Sequence, residues 1–277
     1  MSEPAKVVLI TGAGRGIGFA TAQSFARAGW IVAIAEIDPQ TCHEAAATLR
    51  LEGARALDLV VDVGQPQEIE RAVTMVLQET GAIHALVNNA FTPTLDKINN
   101  TTLQDWQLGM DVNLRAAWLC CQAVHPVMKA QGNGAIVNVI SLHAWMTQPS
   151  FFPYNVAKGG LLALTKALAV EYAKDGIRTN AVAPGWIESV RTPYFFDSFT
   201  NPDEARRRVL TAIPQGRMGK PDEAASVIHF LCSAAASYVN GATLVVDGGR
   251  EALELDLTDL KRPAATPYWQ ATTYHKE

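Results

Sequence analysis

The chain of 277 residues has no apolar run approaching the roughly 18 residues that a membrane-spanning helix needs, which excludes a transmembrane protein. Cysteine is scarce. Cys42, Cys120, Cys121 and Cys232 form no CxxC pair and have no clustered histidines beside them, so a zinc centre is excluded and reduced, buried thiols are expected. Positive charge is also in short supply: 23 Lys and Arg stand against 27 Asp and Glu, a net charge of −4. With no basic tract to offset it, this balance excludes nucleic acid and anionic membranes as partners. An export signal is lacking too. Met1 to Lys6 runs straight into the apolar Val7–Ile10, too short and too polar for a signal peptide, and a cytoplasmic protein is expected. Internal repeats and low-complexity tracts are absent.

What is there is a core-forming composition, 48% hydrophobic, enough for one compact domain spanning 1–277. Short β-branched runs alternate with longer Ala-rich amphipathic stretches, the rhythm of βαβ units and hence of a parallel sheet covered on both faces. The pattern predicts strands at 7–10, 31–36, 56–61, 85–88, 135–140, 178–183 and 243–246. It predicts helices at 16–28, 40–52, 66–80, 103–130, 153–174 and 221–235, with Pro66, Pro153 and Pro221 in their first turns. The fold class is therefore α/β, a doubly wound seven-stranded parallel sheet with helices on both faces. Two segments break the rhythm. Residues 185–214 form a long connection beyond the C-terminal end of a strand, where such sheets bind ligands, and are expected to act as a substrate lid. Residues 250–277 form a C-terminal extension without a clear period, with Tyr268, Trp269 and Tyr274 as candidates to close over a site.

After the first strand comes Thr11-Gly12-Ala13-Gly14-Arg15-Gly16-Ile17-Gly18, followed by a helical pattern. A glycine turn between strand and helix lets the backbone approach a pyrophosphate, and the free N–H groups at the helix start favour its charge. No Gly-Lys-Ser/Thr follows, so this is not a P-loop. Glu36 ends the second strand, where a carboxylate accepts hydrogen bonds from the adenosine ribose and repels a 2′-phosphate. Arg15 pulls the other way, since a basic residue in the turn can pair with that phosphate. The carboxylate is given more weight, so NAD is expected in preference to NADP.

Further on, a strand delivers Ser141, and thirteen residues later Tyr154-Asn-Val-Ala-Lys158 opens a helix. Tyr154 and Lys158 share a face at i and i+4, which brings an ammonium near a phenol that would otherwise titrate near pH 10. A unit charge at about 4 Å and an effective dielectric near 20 is worth about 4 kcal/mol, enough to bring a phenolate within reach.

Taken in this order, TGxxxGxG, Ser141 and YxxxK resemble the short-chain dehydrogenase/reductase family over Val7 to Gly249, with Asn113, Pro184-Gly185 and Val246-Asp247-Gly248-Gly249 also in place. The resemblance implies a Rossmann-type fold, Tyr154 as general acid or base, Ser141 bonded to the reacting oxygen, and Lys158 on the nicotinamide ribose. Asn113 would anchor a proton-relay water. The cofactor site would include Gly12, Gly14, Arg15, Gly16, Ile17, Gly18, Glu36, Asp62, Val63, Asn89, Ala90, Tyr154, Lys158, Pro184, Gly185, Ile187 and Ser189. Phe91 stands where the family usually has glycine after Asn88-Asn89-Ala90, and Ser189 where it often has Thr. A homotetramer is implied as well. The expected reaction is oxidation of a secondary alcohol, a sugar or polyol hydroxyl and also an anionic sugar, with Ser141, His143, Trp145, Trp186 and Arg191 toward the substrate. An NADPH-dependent carbonyl or 3-oxoacyl-carrier-protein reductase and a non-catalytic dinucleotide-binding regulator are the alternatives.

Overall fold

The computed structural model describes residues 5–254. β1 (Val7–Thr11) and β2 (Ile31–Glu36) are buried at every position. Strands of this kind need cover on both sides, and the sequence supplies it by alternation. Val7, Leu9, Ile31 and Ala33 face one side, where α3 (Pro66–Thr80) and α5 (Ala116–Gln131) contribute Val73, Val76, Val124 and Met128. Val8, Ile10, Val32 and Ile34 face the other, against Phe25 of α1 (Gly16–Arg27), Leu49 of α2 (Pro39–Leu51) and Leu231 of α9 (Pro221–Cys232).

With β3 (Ala56–Val60), β4 (Ala85–Asn88), β6 (Gly134–Val139), β8 (Ile177–Pro184) and β9 (Thr243–Val246), the order is β3-β2-β1-β4-β6-β8-β9, and all pairs are parallel. Chain order reverses between β1 and β4. Loops leaving the two strands there diverge and open a crevice at their C-terminal ends. Those ends carry Gly12, Asn89-Ala90, Ser141 and Gly185, so the topology gathers four distant segments at one edge. A two-residue pair, β5 (Leu95–Asp96) with β7 (Phe152–Pro153), sits outside the main sheet and was not expected from the sequence. Its reach is too short for a two-residue period to register.

The single helix expected over 103–130 is broken. α4 (Leu103–Met110) passes through a π turn at Asp111–Arg115 before α5, and Pro126 lies inside α5. The extra residue of the π turn carries Asn113 inward, where its side chain exchanges two hydrogen bonds with the backbone of Thr92: Oδ1 accepts from the N–H at 2.9 Å, and Nδ2 donates to the carbonyl at 3.0 Å. α6 (Tyr154–Glu171) starts one residue after Pro153, which precedes the helix instead of occupying its first turn; Pro66 and Pro221 do occupy first turns. The 185–214 connection contains two helices, α7 (Thr192–Asp197) and α8 (Pro202–Thr211), around a small core of Phe196, Ile213 and Met218. The aromatic residues expected of the tail, Tyr268, Trp269 and Tyr274, lie outside the described residues.

Candidate active site

The glycine turn is held by close backbone approaches. Gly12 adopts φ +63° and donates its N–H to the Ala35 carbonyl at 2.7 Å. A Cβ on Gly14 would lie 2.6 Å from the Thr41 methyl and 2.9 Å from Glu36 Oε2, and one on Gly18 only 2.2 Å from the Gly12 carbonyl oxygen. Glycine at these two positions therefore lets the turn pack tightly against β2, α2 and itself, whereas a Cβ on Gly16 would meet nothing within 4 Å. No side chain caps α1, so its first N–H groups point outward with the positive end of the helix dipole. Glu36 is buried at the end of β2. Its Oε2 accepts the Gly14 N–H at 3.1 Å and its Oε1 the Ile37 N–H at 3.0 Å, leaving lone pairs for a further donor. Arg15 is exposed, and Asp38 lies within its field. Hydrogen bonds from Thr41, and then the Arg15 charge, hold the Asp38 carboxyl below the usual carboxylate range. These donors and acceptors fit a dinucleotide: an anion-binding helix start, a glycine cradle and a carboxylate at ribose distance along the strand.

Thr11 ties this turn to β4. Its hydroxyl receives the N–H groups of Asn89 and Ala90, both at 3.1 Å, and Asn89 Nδ2 donates to the Thr11 and Gly12 carbonyls at 3.0 and 2.8 Å. Asp62 turns inward on itself, Oδ1 accepting the Gly64 N–H at 2.8 Å beside the buried Val63. Across the crevice, Gly219 bonds the Trp186 carbonyl and the Glu188 N–H on either side of Ile187. The N–H and carbonyl of Ile187 itself therefore face away from Gly219, available to a ligand. Gly185 packs against Asp247, where a Cβ would come within 2.7 Å, and the neighbouring Pro184 ends β8. Ser189 spends its hydroxyl on the start of α7, accepting the Arg191 N–H at 3.2 Å.

Ser141, Tyr154 and Lys158 are brought together. Ser141 Oγ accepts the His143 N–H at 3.2 Å, which starts the 3₁₀ turn Leu142–Ala144, and the serine stands close enough to Tyr154 to favour its ionised form. Lys158 is buried, its Nζ 2.7 Å from the Val139 carbonyl and 5.6 Å from the Tyr154 ring centroid. Burial pushes the Tyr154 phenol up to about 12, against the opposing Ser141 hydrogen bond, and pulls the Lys158 ammonium down to about 7. The lowered tyrosine expected from a neighbouring full charge is therefore not what this arrangement gives: burial raises the phenol more than the Ser141 hydrogen bond lowers it.

Asn113, expected to anchor a water, spends one acceptor site of Oδ1 and one donor of Nδ2 on the Thr92 backbone. Of the substrate-side candidates, His143 faces Tyr154 with ring centroids 6.0 Å apart, and burial pulls its imidazole down to about 4, so it is neutral at physiological pH. Trp145 is 40% exposed and makes no aromatic contact with Tyr154 among the described residues. Trp186 packs on Phe195 and Phe196 of α7, with ring centroids 5.1 and 6.2 Å away. Sequence reasoning missed Phe151, which stacks on His143 at 4.1 Å and stands 6.5 Å from Tyr154. Its position three residues before the tyrosine was the available signal. Phe91, singled out only as a departure, stands edge-on to Tyr154 at 6.4 Å.

Comparisons with known proteins agree with this geometry. A family model described as Enoyl-(Acyl carrier protein) reductase matches residues 12–251. The chain is 38% identical over 245 residues to the Homo sapiens protein named dehydrogenase/reductase SDR family member 4, covering 88% of this chain and 87% of that protein. It is 37% identical over 252 residues to a 2-(R)-hydroxypropyl-CoM dehydrogenase of Xanthobacter autotrophicus, covering 90% and 99%. A solved gluconate 5-dehydrogenase from Burkholderia cenocepacia, in complex with NADP and tartrate, superposes with a TM-score of 0.84 at 33% identity and covers 91% of this chain and 97% of its own.

Proposed function

Since this chain belongs to the short-chain dehydrogenase/reductase family and is an oxidoreductase of alcohol and carbonyl groups, we propose that it interconverts a secondary alcohol and its ketone with NAD preferred over NADP, the alcohol being a sugar or polyol hydroxyl. The observation that carries the reading is the grouping of Ser141, Tyr154 and buried Lys158, its Nζ 5.6 Å from the Tyr154 ring centroid, at the sheet edge that also carries the glycine turn. A nicotinamide dinucleotide bound there supplies the hydride acceptor or donor. Gly12, Gly14 and Gly18 let the turn fold tightly against its neighbours, Gly16 leaves open space beside it, the start of α1 faces the negative charge, and Ile187 offers backbone groups. Tyr154 removes the hydroxyl proton during oxidation and returns it during reduction. Ser141 holds the reacting oxygen in line with the phenol. Lys158 orients the ribose and completes the proton-handling pair.

NAD preference rests on Glu36. Its buried carboxylate, with Asp38 set against Arg15, makes the ribose end of the cradle acidic, which opposes a 2′-phosphate. Glu36→Ser is expected to lower the NAD-to-NADP ratio of kcat/KM about 10- to 100-fold, the worth of a charged hydrogen bond. A ratio that stays within twofold of the parent would show that Glu36 does not address the ribose. A second reading, an NADPH-dependent reductase of carbonyl or acyl-carrier substrates, is favoured by the description of the matching family model and by the NADP in the Burkholderia cenocepacia structure. The same steady-state measurement on the parent enzyme separates the two, since that reading requires NADP to be preferred before any substitution.

The sugar reading draws on the structural neighbour named gluconate 5-dehydrogenase and on the flat rings of Phe91, Phe151 and His143 around Tyr154. Association into a homotetramer is part of the proposal; Leu108, Trp118 and Val170 are exposed apolar side chains on α4, α5 and α6. Among the described residues no helix is long and apolar enough to cross a membrane. A cytoplasmic location, with a small-molecule substrate and no nucleic-acid partner, completes the reading.

A further inference from the structure

Three side chains stand around the Tyr154 ring: Phe91 at 6.4 Å, Phe151 at 6.5 Å and His143 at 6.0 Å between centroids. None of them is charged at neutral pH. Phe151 and His143 are stacked on each other at 4.1 Å with 15° between planes, so they form one flat wall. Phe91 forms a separate platform, set by its place just after Asn89 and Ala90, whose N–H groups are pinned to the Thr11 hydroxyl. Over that platform lies a cation. The Arg191 guanidinium sits 5.4 Å from the Phe91 centroid, and its backbone is fixed by the bond from its N–H to Ser189 Oγ. Phe91 thus contacts both Tyr154 and Arg191, and links the tyrosine ring to a positive charge on the neighbouring loop.

Arg191 makes no ion pair among the described residues. The nearby acid on the same loop, Glu188, acts on Arg217, which is itself paired to Glu223 at 2.7 Å. A guanidinium held against an aromatic face keeps its edge donors directed outward in a fork that matches two oxygens of one anion. Its neighbours leave that fork to the substrate.

We propose that the alcohol taken by this site is an acid, a hydroxylated chain ending in a carboxylate or sulfonate, and that Arg191 over Phe91 is the residue that selects it. The inference rests on the oxidoreductase reading above and narrows its substrate class. The charge lies away from the reacting carbon and is bound alike in ground and transition states, so its contribution appears in KM more than in kcat.

The test uses the full chain and a matched pair of probes, gluconate and gluconamide, which differ only in the charge of the terminal group. Gluconate is expected to be favoured about 10- to 100-fold in kcat/KM, the range of a hydrogen bond to a charged group, with most of the difference in KM. Arg191→Gln abolishes the preference and Arg191→Lys restores part of it. Phe91→Gly, which keeps the arginine and removes its platform, weakens the preference through a higher KM for gluconate. Equal kcat/KM for the two probes in the parent, or a preference that survives Arg191→Gln, overturns the proposal while leaving the oxidoreductase reading intact. Calorimetric titration of both probes onto the dinucleotide-loaded protein keeps the outcomes apart: gluconate that binds in an Arg191-dependent way without turnover upholds the anion site and contradicts the reaction. Failure of both probes to bind overturns the site.

Discussion

Replacing Tyr154 with Phe is expected to lower kcat about 10²- to 10⁴-fold with little change in dinucleotide affinity, because the substitution removes the transferable proton and almost nothing else. The ring keeps its place among Phe91, His143 and Phe151, and the Ser141 hydroxyl keeps its bond from His143. Single-turnover rates and a dinucleotide titration measured on the same preparation check both halves, and near-parental turnover would remove Tyr154 from the chemistry. The pH profile carries a second, signed expectation. Burial raises the phenol, so at neutral pH Tyr154 holds its proton. Oxidation needs the phenolate, hence kcat/KM for the alcohol rises with pH, by about tenfold per unit below the pKa of the phenol. Reduction needs the phenol and falls over the same interval. Lys158→Met removes the only cation placed against Tyr154 among the described residues and moves the oxidation limb to higher pH.

The elements that the sequence revealed share one property: their pattern is local and repeated. β2 and β4 fall on the expected residues, and so does α3, because continuous β-branched runs and a 3.6-residue period leave little choice over lengths of four to fifteen residues. The catalytic pair and the glycine turn were legible for the same reason, each being a short spacing on one element. What escaped was decided by partners far away in the chain. The π turn at Asn113 exists because Thr92, 21 residues earlier, presents both an N–H and a carbonyl to its side chain; no periodicity in 103–130 encodes that pairing. The direction of the Tyr154 shift depends on how completely its neighbours exclude water from the phenol, a property of packing. Trp186 looked like a ligand contact by position, yet Phe195 and Phe196 of α7 take up its ring. Phe91 shows the converse. In the sequence it is only a departure from the family pattern, whereas in the fold its ring contacts both Tyr154 and Arg191.

Gly18→Ala is expected to damage stability and dinucleotide affinity together, because the added methyl has nowhere to go. It would lie 2.2 Å from the Gly12 carbonyl oxygen, 2.5 Å from Asn89 Nδ2 and 2.9 Å from the Ala13 Cα. Two of these are backbone of the turn itself. The third cannot swing away freely, since Asn89 Nδ2 holds the carbonyls of Thr11 and Gly12. Relief must come from lifting the turn off the end of β4, which loosens the space a diphosphate would enter. Overpacking of this kind costs about 1–3 kcal/mol, a fall in melting temperature of several degrees for a domain of this size. Gly16→Ala separates sterics from backbone strain. A Cβ there meets nothing within 4 Å, and the cost is confined to its φ of +57°, about 1–2 kcal/mol. The two variants should therefore lose comparable stability but differ in binding: Gly18→Ala weakens the dinucleotide at least about tenfold, about 1.4 kcal/mol, and Gly16→Ala weakens it less. Thermal unfolding with and without NAD measures both quantities, since a ligand that binds only the folded state raises the midpoint in proportion to its affinity. A Gly18→Ala protein whose NAD-induced shift matches that of the parent would mean that the turn does not hold the dinucleotide.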